Sequence, residues 1–479
     1  MKNYSSSKEG NKITKGSGIN IMPMRKELVI KALKCEEVGR IPWVPFTGVH
    51  CAKLLGIDAE SYLKSPRNIV DGVKLAAEKY FADGVCSVFD LQIEAEALGC
   101  SLKWSKNNPP AVATHILETK KLEELPELTK EMGRIEEALR ATSMLKKEIG
   151  ENVAIFGLIC GPFTLALHLA GAKFLTDMIE DPDHANRILT FCAEAARKMS
   201  AWYVEAGADV VALVDPMTSQ ISPRHFKKYV MSTVAPSIKE VKSRGGLVTL
   251  FCCGDATKNI ELMMQCEPNG IAFDEQVSVA NSRLLSEKYN VAIEGNMHLT
   301  TTLLFGSPVE CVDDAKKCLE EGGKKGFILS PGCDLPFDTP EYNLEAVGKY
   351  AVLGEEPSKI SGFLSLDEAL AGCDAAAEGF EDVIIEPGKL FVEVVTLDSE
   401  GCAPCQYMME SLFRVKDRYG DKLSYRETLI KSLGGIKRVG AIGVKNLPSM
   451  LINNELVFDN IVPTEEELIK ELDKKLSNI

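Results

Sequence analysis

The chain has 479 residues, 45% of them hydrophobic and 26% charged, which is the balance of an ordinary soluble protein and enough for a large domain plus a small module. Acidic side chains outnumber basic ones by 69 to 55, for a net charge of −14, so no basic stripe recommends a nucleic acid, and no apolar run reaches the roughly 20 residues of a membrane span. The 15 cysteines follow no secretory signal and are expected mostly as free thiols of a cytoplasmic chain.

In chain order, residues 1–22 are polar and read as a disordered tail. Helical periodicity begins at Arg25–Cys35. From there to residue 353, helical stretches alternate with short apolar runs at Val85–Phe89, Val153–Leu158, Val210–Val214, Leu247–Cys252, Ile271–Phe273, Val291–Ile293 and Phe327–Leu329. Short β-branched runs separated by helices predict a parallel sheet buried on both faces. Seven visible units over this length fit an eight-unit TIM-type (β/α)8 barrel better than an open doubly wound sheet. Residues 354–388, with Glu355-Glu356-Pro357 and Glu386-Pro387-Gly388 around an Ala-rich piece, read as a linker holding one short helix. Residues 389–479 form a second, small α/β domain. It opens with a strand over Leu390–Leu397, followed by Gly401-Cys402-Ala403-Pro404-Cys405 at the start of a helix running to Tyr419.

That CxxC is the sharpest local signal. A thiol at a helix N-terminus meets unpaired N–H groups and the positive end of the helix dipole, both of which favour thiolate. Cys402 is the expected nucleophile and Cys405 the resolving thiol; half of a zinc knuckle is the alternative. In the large domain, Asp90 and Asp215 each end an apolar strand. In a barrel, carboxylates there face the active-site mouth; the alternative is a role as helix caps or solvated strand ends. Cys252, Cys253 and Cys333 also follow strands, and soft thiolates converging on a barrel mouth suit zinc.

The large domain resembles the uroporphyrinogen decarboxylase superfamily. The matching pieces are Arg40-Ile41-Pro42, Gly161-Pro162-Phe163-Thr164, Glu180-Asp181-Pro182, Gly207-Ala208-Asp209, Ile221-Ser222-Pro223, Gly295-Asn296, and Thr339-Pro340 with Asn343. The thiols resemble the methylcobalamin:coenzyme M methyltransferase branch, in which a His-x-Cys-Gly and a later Cys hold a zinc ion that activates a thiol. The cysteines match as Cys253 and Cys333, but the histidine position is Phe251, which cannot ligate. Along a strand, positions 251 and 253 share a face and Cys252 points away, so His298 and Glu294 are the other candidate ligands. The decarboxylase itself is a poorer match, because the stretch after Pro42, Trp43 to His50, holds no arginine to grip carboxylates. The last 90 residues resemble thioredoxin-like domains, which implies a cis bond at Pro448, a turn at Asn453-Asn454 and a closing helix over Glu465–Leu476.

These resemblances imply a corrinoid-dependent methyltransferase with an attached dithiol domain. A separate corrinoid protein would present the methyl group, and the acceptor would be a thiol or another small molecule. Asp90 and Asp215 would line the pocket as catalytic residues, Asp90 handling a proton, and Asn296 and Pro448 would contact substrate. The alternative is a redox-regulated corrinoid- or tetrapyrrole-binding protein without turnover. A homodimer is left open.

Overall fold

The computed structural model of the chain describes residues 25–357, 363–375, 379–381 and 383–477. The tail expected over residues 1–22 lies outside them, as does part of the 354–388 linker, within which Leu366–Gly372 is helical.

Among the described residues, the large domain is built on a curled, seven-stranded parallel sheet in sequential order: β1 (Gly84–Cys86), β2 (Ala154–Cys160), β3 (Val210–Val214), β4 (Leu247–Cys252), β5 (Gly270–Phe273), β6 (Ala292–Met297) and β7 (Phe327–Pro331). All seven expected strands are present, and the curl is of the TIM type. The two sheet edges are joined through a segment with no strand signal. Leu329 N–H donates to the Pro42 carbonyl (3.0 Å), Val44 N–H to the Leu329 carbonyl (2.9 Å), and Asp83 N–H to the Trp43 carbonyl (2.8 Å). Pro42 and Pro45 have no N–H, so pairing along this segment shrinks to a single bridge at Trp43. Asp83 holds the closure from below: it accepts the Trp43 N–H (2.8 Å) and an Arg40 ion pair (2.7 Å). The motif Arg40-Ile41-Pro42 therefore serves barrel closure.

Alternate residues point inward, as a period of two requires. Val44, Cys86, Ala154, Leu158, Ala212, Val214 and Ile328 fill the interior around an aromatic group. Phe46 lies 5.1 Å from Phe251 and 6.3 Å from Phe89 and Phe156, ring centre to ring centre. The outward residues pack beneath helices such as Pro182–Glu205. No helix among the described residues is long and apolar enough to cross a membrane.

The C-terminal residues form a four-stranded sheet. β8 (Leu390–Thr396) is central and pairs in parallel with β9 (Leu423–Leu429). On its other side it pairs antiparallel with β10 (Ser449–Ile452), which continues through a hairpin into β11 (Glu455–Asp459). Asn453 and Asn454 turn the hairpin with φ of 52° and 63°, a left-handed pair that asparagine tolerates. The Leu447–Pro448 bond before β10 is cis. Helices Ala403–Lys416 and Glu465–Ser477 pack on the sheet.

This unit is docked on the barrel by apolar packing, in which Ala403, Tyr407 and Met408 join the barrel's outer core, and by polar contacts. The Tyr407 hydroxyl meets His168 Nδ1 (2.9 Å), Gln406 donates to the Val112 carbonyl (2.6 Å), and Gln220 donates to Asn460 (2.8 Å). Asn108 donates to Asp398 (2.9 Å) and accepts from Lys431 (2.6 Å). Two ion pairs, Lys103–Glu400 (2.7 Å) and Arg414–Glu118 (3.0 Å), lie at the rim.

Candidate functional site

A cavity of about 170 Å³ lies where the C-terminal ends of the barrel strands meet the docked unit. Asp90, Cys253, Asp274, Glu275, Cys333 and Asp334 line it from the barrel, and Asp398, Cys402, Cys405, Lys431 and Leu447 from the other side.

Cys253 follows β4 and Cys333 follows β7. Their Cα atoms are 5.8 Å apart and their sulfurs are joined as a disulfide. Cys252 points the opposite way, as strand alternation predicts. It lies 3.3 Å from the Thr218 hydroxyl, off the cavity, and burial pushes its thiol up to about 12. Across the cavity, Cys402 precedes the first turn of helix Ala403–Lys416 and is half-buried, while Cys405 is fully buried. Burial first, and then its hydrogen bond to Cys402, hold the Cys405 thiol well above its ordinary value.

The two strand-end aspartates have different roles. Asp90 is on the cavity wall, but one of its oxygens pairs with Arg134 (2.5 Å) and the other accepts the Gln92 N–H (2.9 Å). Asp215 is away from the cavity and caps helix Pro162–Ala170. It accepts from Phe163 N (3.1 Å), Thr164 N (2.8 Å) and the Thr164 hydroxyl (2.6 Å). This accounts for Gly161-Pro162-Phe163-Thr164 physically. A Cβ at Gly161 would collide with the Asp215 carboxyl, proline suits the first helical position, and threonine adds a third donor. Replacing Asp215 by alanine should leave those donors unpaired in a dry site and cost about 3–5 kcal/mol, read as a lower denaturant midpoint; Asp215→Asn should cost less.

Asn296 is also off the cavity wall. Its amide donates to the Asp274 (3.0 Å) and Val277 (2.6 Å) carbonyls and so pins the loop that carries Asp274 and Glu275. Pro448 follows Leu447, which lines the cavity, and its own carbonyl accepts the Asn460 N–H (3.0 Å). His298 is engaged by Asp314 (3.0 Å). Glu294 points into the barrel beside Gly270, and burial pushes it up to about 8.

Three carboxyls in the cavity were not singled out from the sequence. Asp274 and Glu275 follow β5 as Asp90 follows β1, so the strand-end rule would have found them. Asp334 sits in the space left by Gly48, where a Cβ would collide with its carboxyl. Burial raises Asp274 and Asp334. Glu275 is pushed up to about 7 by burial first and then by the neighbouring Asp274 charge.

A family model described as uroporphyrinogen decarboxylase (URO-D) matches residues 24–351. The chain belongs to the uroporphyrinogen decarboxylase family. The match covers the barrel and ends before the four-stranded unit. The methylcobamide:CoM methyltransferase MtbA of Methanosarcina mazei is 27% identical over 67% of this chain and 95% of its own length. The methylcobamide:CoM methyltransferase MtaA of Methanosarcina barkeri is 28% identical over 67% and 96%. A solved methyltransferase from Methanosarcina mazei superposes with a TM-score of 0.64 at 27% identity, covering 68% of this chain and 98% of its own. Uroporphyrinogen decarboxylase of Trichodesmium erythraeum is 24% identical over 64% of this chain.

A zinc ion does not fit the residues of this family member. The donor set is two thiols bonded to each other. Phe251, at the third position, is sealed in the aromatic group, and no cluster of three His, Cys, Asp or Glu side chains among the described residues is placed to hold a metal. Two protein ligands make a poor zinc site.

Proposed function

We propose that this chain is a corrinoid-dependent methyltransferase, moving a methyl group between a methylated corrinoid protein and a small thiol or similar acceptor. The observation that carries this reading is a barrel mouth lined by Cys253 and Cys333 in a chain whose relatives across the whole barrel include methylcobamide:CoM methyltransferases at 27–28% identity. In transfer to a thiol, the carbon–cobalt bond breaks with its electron pair left on cobalt. A carbon–sulfur bond forms, and the thiol proton must leave. Glu275, at about 7 and on the cavity wall, is suited to accept that proton without zinc. The cavity suits a small thiol and is far too small for a corrinoid, so the C-terminal unit moves off the barrel when the corrinoid protein docks. That unit is, in this reading, a thioredoxin-like dithiol module, supported by its order of strand, CxxC and helix against a four-stranded sheet.

The test is the reduced full chain with methylcobalamin and coenzyme M. Thioether formation is the expected result. Retention of bound methylcobalamin with no demethylation would replace this reading with binding without turnover, which the loss of a third ligand at Phe251 favours. If Glu275 is the base, it must be ionised to act, so the rate should rise with pH through about 7 and then level off. The Glu275→Gln rate should be lower and flat over that range; an unchanged pH profile would remove Glu275 from the role.

A further inference from the structure

The disulfide and the dithiol face each other. Cys253–Cys333 on one wall and Cys402 with Cys405 on the other line the same cavity. A dithiol domain serving a large external protein needs its CxxC open to solvent. Here that face is turned into the barrel and held by contacts on several sides of the cavity: Asn108 with Asp398 and Lys431, Gln406 with Val112, Tyr407 with His168, and Gln220 with Asn460. The other barrel thiol ending β4, Cys252, is buried on the opposite face of the strand and bonded to Thr218.

We propose that the C-terminal CxxC is the built-in reductant of the barrel's Cys253–Cys333 disulfide, with exchange taking place inside this shared cavity. The inference goes beyond the methyl-transfer reading and holds for any substrate of the barrel. Cys402, as thiolate, attacks one sulfur of the Cys253–Cys333 bond. That bond breaks, a mixed disulfide forms to Cys402, and the other barrel sulfur leaves as thiolate. Cys405 then attacks Cys402 and releases the second barrel sulfur. The two protons of Cys402 and Cys405 end on Cys253 and Cys333, and two electrons pass from the C-terminal pair to the barrel pair. A small dithiol that enters the cavity re-reduces Cys402–Cys405 and is itself oxidised to its disulfide. The arrangement assigns the nucleophile: Cys402 borders the cavity half-exposed at a helix N-terminus, while Cys405 waits buried behind it. Sharing one chain and one cavity gives the exchange a high effective concentration.

The experiment uses the full chain. Without the resolving thiol, Cys405→Ser protein under mild oxidation should accumulate a link between Cys402 and Cys253 or Cys333, in monomeric chains and independent of protein concentration. Peptide mapping reads the link, and Cys252 should stay unmodified. In a second measurement, the oxidised wild-type chain and the Cys402→Ser chain are treated with a dithiol, and alkylation of Cys253 and Cys333 is followed by mass spectrometry. Loss of Cys402 should slow reduction of the barrel pair by about tenfold or more, because the relay is removed. Equal rates in the two chains, or Cys402 linked only between chains or to added small thiols, would overturn the proposal. The rate comparison stands even if Cys405→Ser protein does not fold.

Discussion

Phe251→His protein, purified under reducing conditions, is expected to retain about one zinc ion per chain where the parent retains little, because the change adds the third ligand an open zinc site requires. Positions 251 and 253 share the inward face of β4, so an imidazole there would project beside Cys253, with Cys333 across the mouth. The aromatic group of Phe46, Phe89 and Phe251 loses one ring and keeps a planar one of smaller size, so some packing is lost and the fold should survive. Elemental analysis reads the outcome. The metal should disappear when either Cys253 or Cys333 is also changed to serine, and when the pair is oxidised, since a disulfide offers no thiolate. Zinc persisting in the Phe251→His, Cys333→Ser double variant would show that it binds elsewhere.

The second large effect concerns Glu393 in the middle of β8. It is buried and accepts from Arg438 (3.1 and 2.8 Å), Arg426 (3.0 Å) and Thr428 (2.6 Å). Burial opposes its charge, but Arg438, Thr428 and Arg426 outweigh that, and its carboxyl is held below the ordinary range. Removing one side of a buried ion pair costs about 3–5 kcal/mol, so Glu393→Ala should destabilise the four-stranded unit by that amount while the barrel unfolds as before. Alkylation of the buried Cys405 under native conditions should rise accordingly. The pH dependence follows from the sign of the shift. A depressed folded-state value means the stabilisation is present above the ordinary carboxylate range and is lost as pH falls through the folded value. The parent's acid sensitivity in this unit should therefore diminish in Glu393→Ala.

Much of the fold was legible locally. The seven strands were visible because short β-branched runs bounded by turns report burial on both faces. The helix starting at the CxxC and the Asn453-Asn454 turn were visible because their chemistry is local. The two prolines around Trp43-Val44 hid the closing segment, since pairing there depends on strands far away in sequence. Among the site residues, Asp90 and Asp215 carried one signal, a carboxylate after an apolar strand, and reached different ends. Asp215 met the N-terminus of helix Pro162–Ala170 and became its cap, whereas Asp90 met Arg134 at the cavity wall.

The sequence by itself determined the element types, the parallel sheet and the opposed directions of Cys252 and Cys253. Each follows from a period or a side-chain chemistry that needs no partner. Only the tertiary structure decided that Cys253 and Cys333, both expected at the barrel mouth, are joined to each other as a disulfide, that Asp274, Glu275 and Asp334 share one cavity, and that the CxxC faces inward. These depend on which surfaces remain to be buried once the barrel closes and the C-terminal unit docks, and on contacts such as His168–Tyr407 and Gln220–Asn460. A local pattern carries no information about a partner more than two hundred residues away.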